Sequence, residues 1–124
     1  MTPQEMKNRT KRFAVRVIKM TDTLPNSRAS NVIANQLIRS ASSVGANYRA
    51  ALRARSQADF ISKIGVTTEE ADESEYWIEL LVDCEIVQAE RAQELRKEAS
   101  ELVAILTATS KTTKSHSQRY PEKS

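Results

Sequence analysis

The sequence predicts an all-α protein, a single domain folded as an up-down-up-down four-helix bundle. The 124 residues include two Gly and three Pro, too few for the turns of a hairpin-rich β protein. Apolar residues recur at spacings of three and four in four stretches, which is the period of amphipathic helices. Residues able to cap a helix stand before the first three stretches. A chain of this length can bury one core.

Helix 1 is predicted to begin at a capping box. In Thr2-Pro3-Gln4-Glu5, the threonine hydroxyl and the glutamate carboxylate can satisfy backbone N–H groups, and proline suits the first helical position. An apolar and small stripe then follows helical spacing: Met6, Thr10, Phe13, Ala14, Val17, Thr21 and Leu24. Pro25 should stop the helix, because a residue before proline is pushed out of helical geometry.

Helix 2 is predicted after a cap at Asn26 or Ser27. Its apolar stripe comprises Ile33, Leu37, Ala41, Val44, Tyr48 and Ala51. A polar stripe lies beside it: Gln36, Ser40, Ser43 and Asn47. These side chains could form a hydrogen-bonding ladder between helices or subunits, or could simply be small enough to let helices approach closely. Gly45 costs about 1 kcal/mol relative to alanine inside a helix, which close backbone contact would explain.

Helix 3 is predicted from a cap at Ser56 to about Cys84. Its core face comprises Phe60, Ile64, Thr67, Ala71, Ser74, Ile78 and Leu81. A second set of apolar residues, here called the apolar ridge, lies elsewhere on the circumference: Val66, Trp77, Leu80 and Cys84. A helix with two apolar faces needs two packing partners. The ridge is therefore the predicted oligomer interface, unless helix 4 covers it, and Trp77 is its strongest member.

Helix 4 is predicted after a short connection at residues 85–89. Its seam has heptad-like spacing: Ala92, Leu95, Ala99, Leu102, Leu106 and Thr109. The period disappears after about Lys111, where the chain becomes polar, basic and turn-prone. The predicted boundaries are a bundle domain at residues 1–112 and a flexible tail at residues 113–124.

Charge is strongly segregated along the chain. Residues 1–55 hold eleven Lys and Arg against two acids, Glu5 and Asp22. Residues 56–101 reverse this, with four Lys and Arg against thirteen Asp and Glu. The formal net charge of +3 therefore hides a basic and an acidic half.

Helical projection gathers eight of the bases into one stripe on helix 1 and another on helix 2. They are Arg9, Arg12, Arg16, Lys19, Arg28, Arg39, Arg49 and Arg53. Such stripes could track the phosphate backbone of RNA or DNA, with binding that weakens as salt rises. The alternative is that they pair with the acids of helix 3, and five pairings among the eight would defeat the first interpretation. Because no aromatic residues interleave with the bases, any binding should follow charge or shape rather than base sequence.

No motif indicates catalysis or a cofactor. The one histidine, His116, lies in the predicted tail, so an inward di-metal site is not expected and no metal ligand is assigned. Cys84 and His116 could form a nucleophile and base, but one ends a helix and the other lies in the tail. Glu69, Glu70 and Glu73 fit a solvated or ion-paired acidic face better than acid–base chemistry.

Neither a membrane-spanning run nor a secretory segment is evident in the sequence. The single cysteine cannot form an internal disulfide, and nothing else indicates an oxidising compartment. We expect a cytoplasmic protein that does not associate with membranes.

Several strings, QLIRSASSVGANYR, RARSQADFISKI, EEADESEYWIELL and ELVAILTATSKT, resemble one family at matching separations over residues 6–112. It is the bacterial four-helix bundle family first noticed as open reading frames in intervening sequences of 23S ribosomal RNA genes. The resemblance implies an up-down-up-down bundle assembled as a homopentamer, with no known enzymatic activity. A related branch, the accessory proteins of diversity-generating retroelements, is a basic pentamer that engages nucleic acid and a reverse transcriptase.

This chain departs from the family pattern at two places. Ala50 stands where the family commonly has glutamate, and Thr67-Thr68 replaces an apolar Ala-Leu step. The first change removes an acid from a basic helix, and the second places hydroxyls near the core.

Two functions follow from the sequence. The first is a non-enzymatic homo-oligomer, expected to be a pentamer, that acts as a nucleic-acid-associated scaffold through the basic faces of helices 1 and 2. The second is a protein-interaction adaptor whose charged halves pair within the assembly and whose partner is another protein.

Overall fold

The computed structural model describes residues 1–120; residues 121–124, within the predicted tail, lie outside the described part. Four helices account for most of the chain: α1 (Pro3–Thr21), α2 (Arg28–Ala51), α3 (Gln57–Asp83) and α4 (Ala89–Arg119). No strand occurs between residues 1 and 120. The predicted all-α class is confirmed.

The predicted helix caps are present in the first three helices. Thr2 Oγ1 accepts a hydrogen bond from the N–H of Glu5 at 3.1 Å. Ser27, rather than Asn26, caps α2, and its Oγ accepts from the N–H of Ser30 at 3.2 Å. Ser56 starts α3 in the same way. Each cap satisfies a backbone donor that the helix itself cannot.

Helix α3 ends in a Schellman motif, which begins the connection to α4. The Glu85 N–H donates to the Val82 carbonyl, and the Ile86 N–H donates to the Leu81 carbonyl, both at 2.9 Å. Glu85 has a φ of 59°, in the left-handed region that the motif requires. Ile86 packs partly buried against the core, so the turn is anchored on both its polar and apolar sides.

Consecutive helices pack side by side as an up-down-up-down bundle. The α2–α3 and α3–α4 pairs have the most extensive contacts, whereas α1 packs mainly on α2 and touches α4 over a smaller area. The largest fully buried apolar side chains come from all four helices: Phe13, Val17, Leu37, Val44, Ile64, Ile78, Leu81, Leu102 and Leu106. These belong to the predicted stripes, so helical periodicity identified the core.

Members of the polar stripe on α2 differ in their hydrogen-bond partners. Ser40 is fully buried and its Oγ lies 2.9 Å from Ser74 Oγ on α3, so this member joins two helices. Ser43 and Asn47 instead donate to carbonyls of α2 itself. A methyl group on Gly45 would meet Thr10 and Lys11 of α1 at 3.5 and 3.6 Å, so α1 and α2 do approach closely there.

The last helix is longer than its apolar period indicates. α4 continues to Arg119, although the sequence predicts a flexible tail from residue 113. The hydroxyls of Thr109 and Thr113 bond to carbonyls one turn earlier, and Ser117 donates to Gln57 of α3. The helix stops where Tyr120 precedes a proline in the sequence, a position that disfavours helical geometry.

Candidate nucleic-acid interface

Arg9, one of the eight predicted binding bases, is held by two acids of α4. Its Nε and Nη2 contact Glu98 carboxylate oxygens at 2.8 and 2.7 Å, and Nη2 also reaches Glu101 at 2.8 Å. The hydrogen bond that Arg9 donates to Glu98 is the main reason that the pKa of Arg9 is raised, against the opposing effect of burial. Such a two-pronged pair fixes the guanidinium in place, so Arg9 ties α1 to α4.

Arg39, on α2, is also paired. Its Nη2 lies 2.6 Å from Glu73 and its Nη1 lies 3.3 Å from Glu70, while Trp77 Nε1 donates to Glu73 at 3.1 Å. The pKa of Glu73 is lowered chiefly by the Arg39 hydrogen bond and further by the Trp77 bond, although burial opposes both. Arg39 therefore follows the predicted alternative, in which the bases pair with the acids of helix 3.

The other six predicted bases make no ion pair with any residue in the range 1–120: Arg12, Arg16, Lys19, Arg28, Arg49 and Arg53. Two pairings among eight fall short of the five that would have defeated the nucleic-acid interpretation. Most of the predicted basic surface thus keeps its charge available to solvent.

The structure divides the predicted stripes between different surfaces. Arg9 lies on the flank of α1 that faces α4, and Arg39 lies on the flank of α2 that faces α3, as their partners show. The α1 stripe and the α2 stripe therefore do not merge into one face. The bases that do meet between α1 and α2 are one member of the α2 stripe, Arg49, and two lysines that belong to neither stripe, Lys7 and Lys11.

A groove of about 450 Å³ runs between α1 and α2. Three bases line it, Lys7 and Lys11 from α1 and Arg49 from α2, and we call this cleft the basic groove. None of them has an ion-pair partner in the described part of the chain. A cleft lined by one sign of charge concentrates the field and attracts counter-ions.

Polar and small side chains complete the lining of the groove. Gln4, Asn8 and Ser42 offer amide and hydroxyl groups, and Gln4 Nε2 donates to Asn8 Oδ1 at 3.0 Å. Gly45 and Ala46 supply little bulk, so the space between the two helices stays open. Ammonium, guanidinium, amide and hydroxyl donors on one concave surface suit phosphate oxygens.

Lys7 and Lys11 were not among the predicted site residues. At helical pitch they project more than about 120° away from Arg9 and Arg16, so a search for the densest stripe passes them by. The available signal was their spacing of four residues, on the flank that also approaches Gly45. Only the packing of α1 against α2 shows that this flank lines a groove with Arg49.

The apolar ridge of α3 stands partly in solvent. Val66 is 43% exposed, and Cys84 is exposed at the C-cap. Trp77 and Leu80 are partly buried and pack against the core. Tyr76, 55% exposed, meets the Trp77 ring edge-on with centroids 5.0 Å apart. The ridge therefore lacks a full cover within the subunit, and its role as an oligomer interface stays a prediction.

The described residues do not assemble the alternative sites. No group of three His, Cys, Asp or Glu within residues 1–120 could hold a metal ion. Cys84 ends α3 and His116 lies near the end of α4, which are opposite ends of the bundle, so these two side chains do not form a nucleophile–base pair. Glu69 lines a groove towards α4 whereas Glu73 binds Arg39 of α2, so these carboxylates do not converge. Over the same range, no helix has the length and apolarity to cross a membrane.

Fold and surface together define the class: a small antiparallel four-helix bundle with a basic groove between its first two helices. The chain belongs to the 23S rRNA-intervening sequence protein family, whose sequence profile it matches over residues 3–108. Among curated proteins, none matches.

A solved structure supports the family and the fold. It is a protein of unknown function from the S23 ribosomal protein family of Bacteroides thetaiotaomicron. The two chains are 35% identical and superpose with a TM-score of 0.82, over 90% of this chain and 99% of the other. The predicted family resemblance is confirmed.

Proposed function

We propose that this protein is a non-enzymatic, homo-oligomeric scaffold that binds the phosphate backbone of nucleic acid. The observation that carries the proposal is the basic groove, where Lys7, Lys11 and Arg49 converge from two helices without acidic partners in the described part of the chain. Backbone charge neutralisation supplies most sequence-independent affinity for nucleic acids. The family that the chain resembles has a related branch of accessory proteins that engages nucleic acid, which favours the same function.

The lining of the groove favours backbone contacts over reading of bases. Among its residues there is no aromatic side chain on which a base could stack. On the neighbouring helices, Phe13 and Tyr48 are buried in the core. Binding through this groove should therefore be tolerant of sequence and sensitive to salt.

A fluorescence-anisotropy titration with duplex RNA at low and near-physiological salt tests this function. The variant K7E/K11E/R49E should lose at least tenfold in affinity, because three phosphate contacts become repulsive. The comparison variant R12E/R16E/K19E carries the same change in charge on another flank of α1, and it should lose less. No binding by the wild-type protein at low salt would overturn the proposal. A larger loss from the comparison variant would move the site to the α1 stripe.

A second candidate is a protein-interaction adaptor. The incompletely covered apolar ridge and the exposed Tyr76 beside it favour this function, since exposed apolar patches commonly mark protein contacts. This function would be supported if a protein partner copurifies without nucleic acid and if the Tyr76→Lys variant no longer binds that partner. Retention of that partner by the variant would count against it.

A further inference from the structure

The positive charge of this protein is concentrated at one end of the bundle. At that end α1 begins, α2 ends, α3 begins and α4 ends. The contacts between helices show which residues lie at the same level of the bundle. Gly45 lies beside Thr10 and Lys11, and Gly65 lines a groove with Ser110. We define the basic end as residues 1–11, 46–66 and 108–119.

Ten Lys and Arg residues fall in these three segments: Lys7, Arg9, Lys11, Arg49, Arg53, Arg55, Lys63, Lys111, Lys114 and Arg119. The acids in the same segments are Glu5 and Asp59. Elsewhere in residues 1–120, eight bases face thirteen acids. The three segments are far apart in sequence, so folding creates this concentration of charge.

Most of this charge is not neutralised locally. Asp59 is already engaged, since its carboxylate contacts Lys63 Nζ at 2.5 Å and accepts the Arg55 N–H at 3.2 Å. Arg9 turns to the acids of α4. The remaining bases at the basic end make no ion pair with residues 1–120.

Bases follow one another along the chain from the basic groove to the α2–α3 connection, which lies beside the last turns of α4. Arg49 lines the groove, and Arg53 follows one helical turn later, just beyond the end of α2. Next comes the α2–α3 connection with Arg55, after which Gln57 receives a hydrogen bond from Ser117 of α4. That contact holds the last turns of α4 against α3, beside the connection.

Resting on the proposed function, we propose that nucleic acid docks across the basic end, so that the last turns of α4 share the phosphate backbone with the basic groove. The contacting bases on α4 are Lys114 and Arg119, both exposed, with Arg53 and Arg55 between them and the groove. A polyanion that follows this path contacts the end of the bundle rather than one lateral face.

A purely structural role for the α4 bases makes a different prediction. Cations in the last turn stabilise a helix through the negative partial charge of its C-terminal carbonyls, by about 0.3–1 kcal/mol. That role would change thermal stability and leave nucleic-acid affinity unaltered. Salt dependence of binding separates the two roles, because only phosphate contacts release counter-ions.

The test compares K114E/R119E with the matched control R91E/K97E in duplex RNA binding at several salt concentrations. The control changes the net charge equally, and both of its residues are exposed, outside the basic end and outside the two predicted binding stripes. K114E/R119E should lose at least tenfold in affinity. The slope of log K against log salt should become shallower by roughly two, at about 0.9 per phosphate contact. The control should retain the wild-type slope.

Equal slopes for K114E/R119E and wild type would overturn end-on docking, and so would equal losses in the test and control variants. In either case, a loss with K7E/K11E/R49E would leave the proposed function standing. The neutral variant K114Q/R119Q repeats the measurement without introducing acid. Binding to anionic phospholipid vesicles but not to RNA would overturn both proposals.

Discussion

Glu85 is the residue whose backbone conformation conflicts most with its side chain. A left-handed φ of 59° costs a non-glycine residue roughly 1–2 kcal/mol, yet the Schellman motif that ends α3 needs this conformation. The cost is offset locally by the two backbone hydrogen bonds of the turn and by Ile86, which packs against the core.

We predict that Glu85→Gly raises the free energy of unfolding by about 0.5–1 kcal/mol, because glycine adopts this conformation without steric cost. Urea unfolding followed by circular dichroism measures the change. As a control, Glu94→Gly within α4 should lower stability by about 1 kcal/mol through helix propensity. A destabilised Glu85→Gly variant would contradict the prediction.

The hydrogen-bond and ion-pair partners of single side chains could not be predicted from the sequence. Spacing alone placed Ser40 beside the core, but could not distinguish its bond to Ser74 of α3 from the local bonds of Ser43. The choice depends on which residue of the next helix lies opposite. Similarly, Arg9 and Arg12 look alike on a helical projection, and only the position of α4 explains why Arg9 is paired.

Pairs of helices are joined by polar contacts at their edges as well as by the core. Arg39 of α2 binds Glu70 and Glu73 of α3, and Trp77 adds a donor to Glu73. The lowered pKa of Glu73 means that this contact stabilises the folded state when the carboxyl is ionised. The stabilisation is complete above its unfolded pKa, near 4.5, and is lost as the pH falls through the lower folded pKa.

We therefore predict that Glu73→Gln flattens the fall in stability between about pH 6 and about pH 3. The urea midpoint of wild type and variant, measured across that range, should converge towards the acid side. Glu69→Gln is the control, because Glu69 is exposed and has no ion-pair partner within residues 1–120. Parallel curves for Glu73→Gln and wild type would refute the coupling.

The helices themselves were largely predictable because periodicity, caps and the scarcity of glycine all favour the same elements. The end of α4 was not, since hydroxyl side chains that bond to their own helix carry no apolar period. The start of α1 was fixed by Thr2 and Pro3, where two local signals coincide. The apolar period thus locates the seam of α4 but ends before the helix does.

At the scale of the molecule, the incompletely covered apolar ridge predicts self-association. Val66 of the ridge and Val15 of α1 are almost equally exposed, at 43% and 41%, and therefore form a matched pair. We predict that Val66→Glu lowers the mass measured by light scattering, because a charge in a subunit interface is costly to desolvate, whereas Val15→Glu leaves it unchanged.

Trp77→Ala extends this test to the centre of the ridge. It should weaken assembly as well, although it also removes a contact with the core and the bond to Glu73. For that reason Val66 gives the cleaner result. An unchanged mass in both ridge variants would assign the ridge to the subunit alone.

The basic surface could be predicted only in part. Charge counting along the sequence found the basic half, and Arg49 and Arg53 remain in the surface that we propose. Lys114 and Arg119 were assigned to the flexible tail, whereas α4 places them beside the start of α3. Which charges share a surface is decided by helix order and direction, and one-dimensional counting does not contain that information.

The concentration of charge at one end has a consequence for motion before contact. Antiparallel neighbours cancel most of the field of their peptide groups, so the side chains alone give this rod a permanent electric moment along its axis. In the field of a distant polyanion, that moment produces a torque that turns the basic end forward. Orientation then precedes collision, and the gain appears in the association rate rather than in the lifetime of the complex.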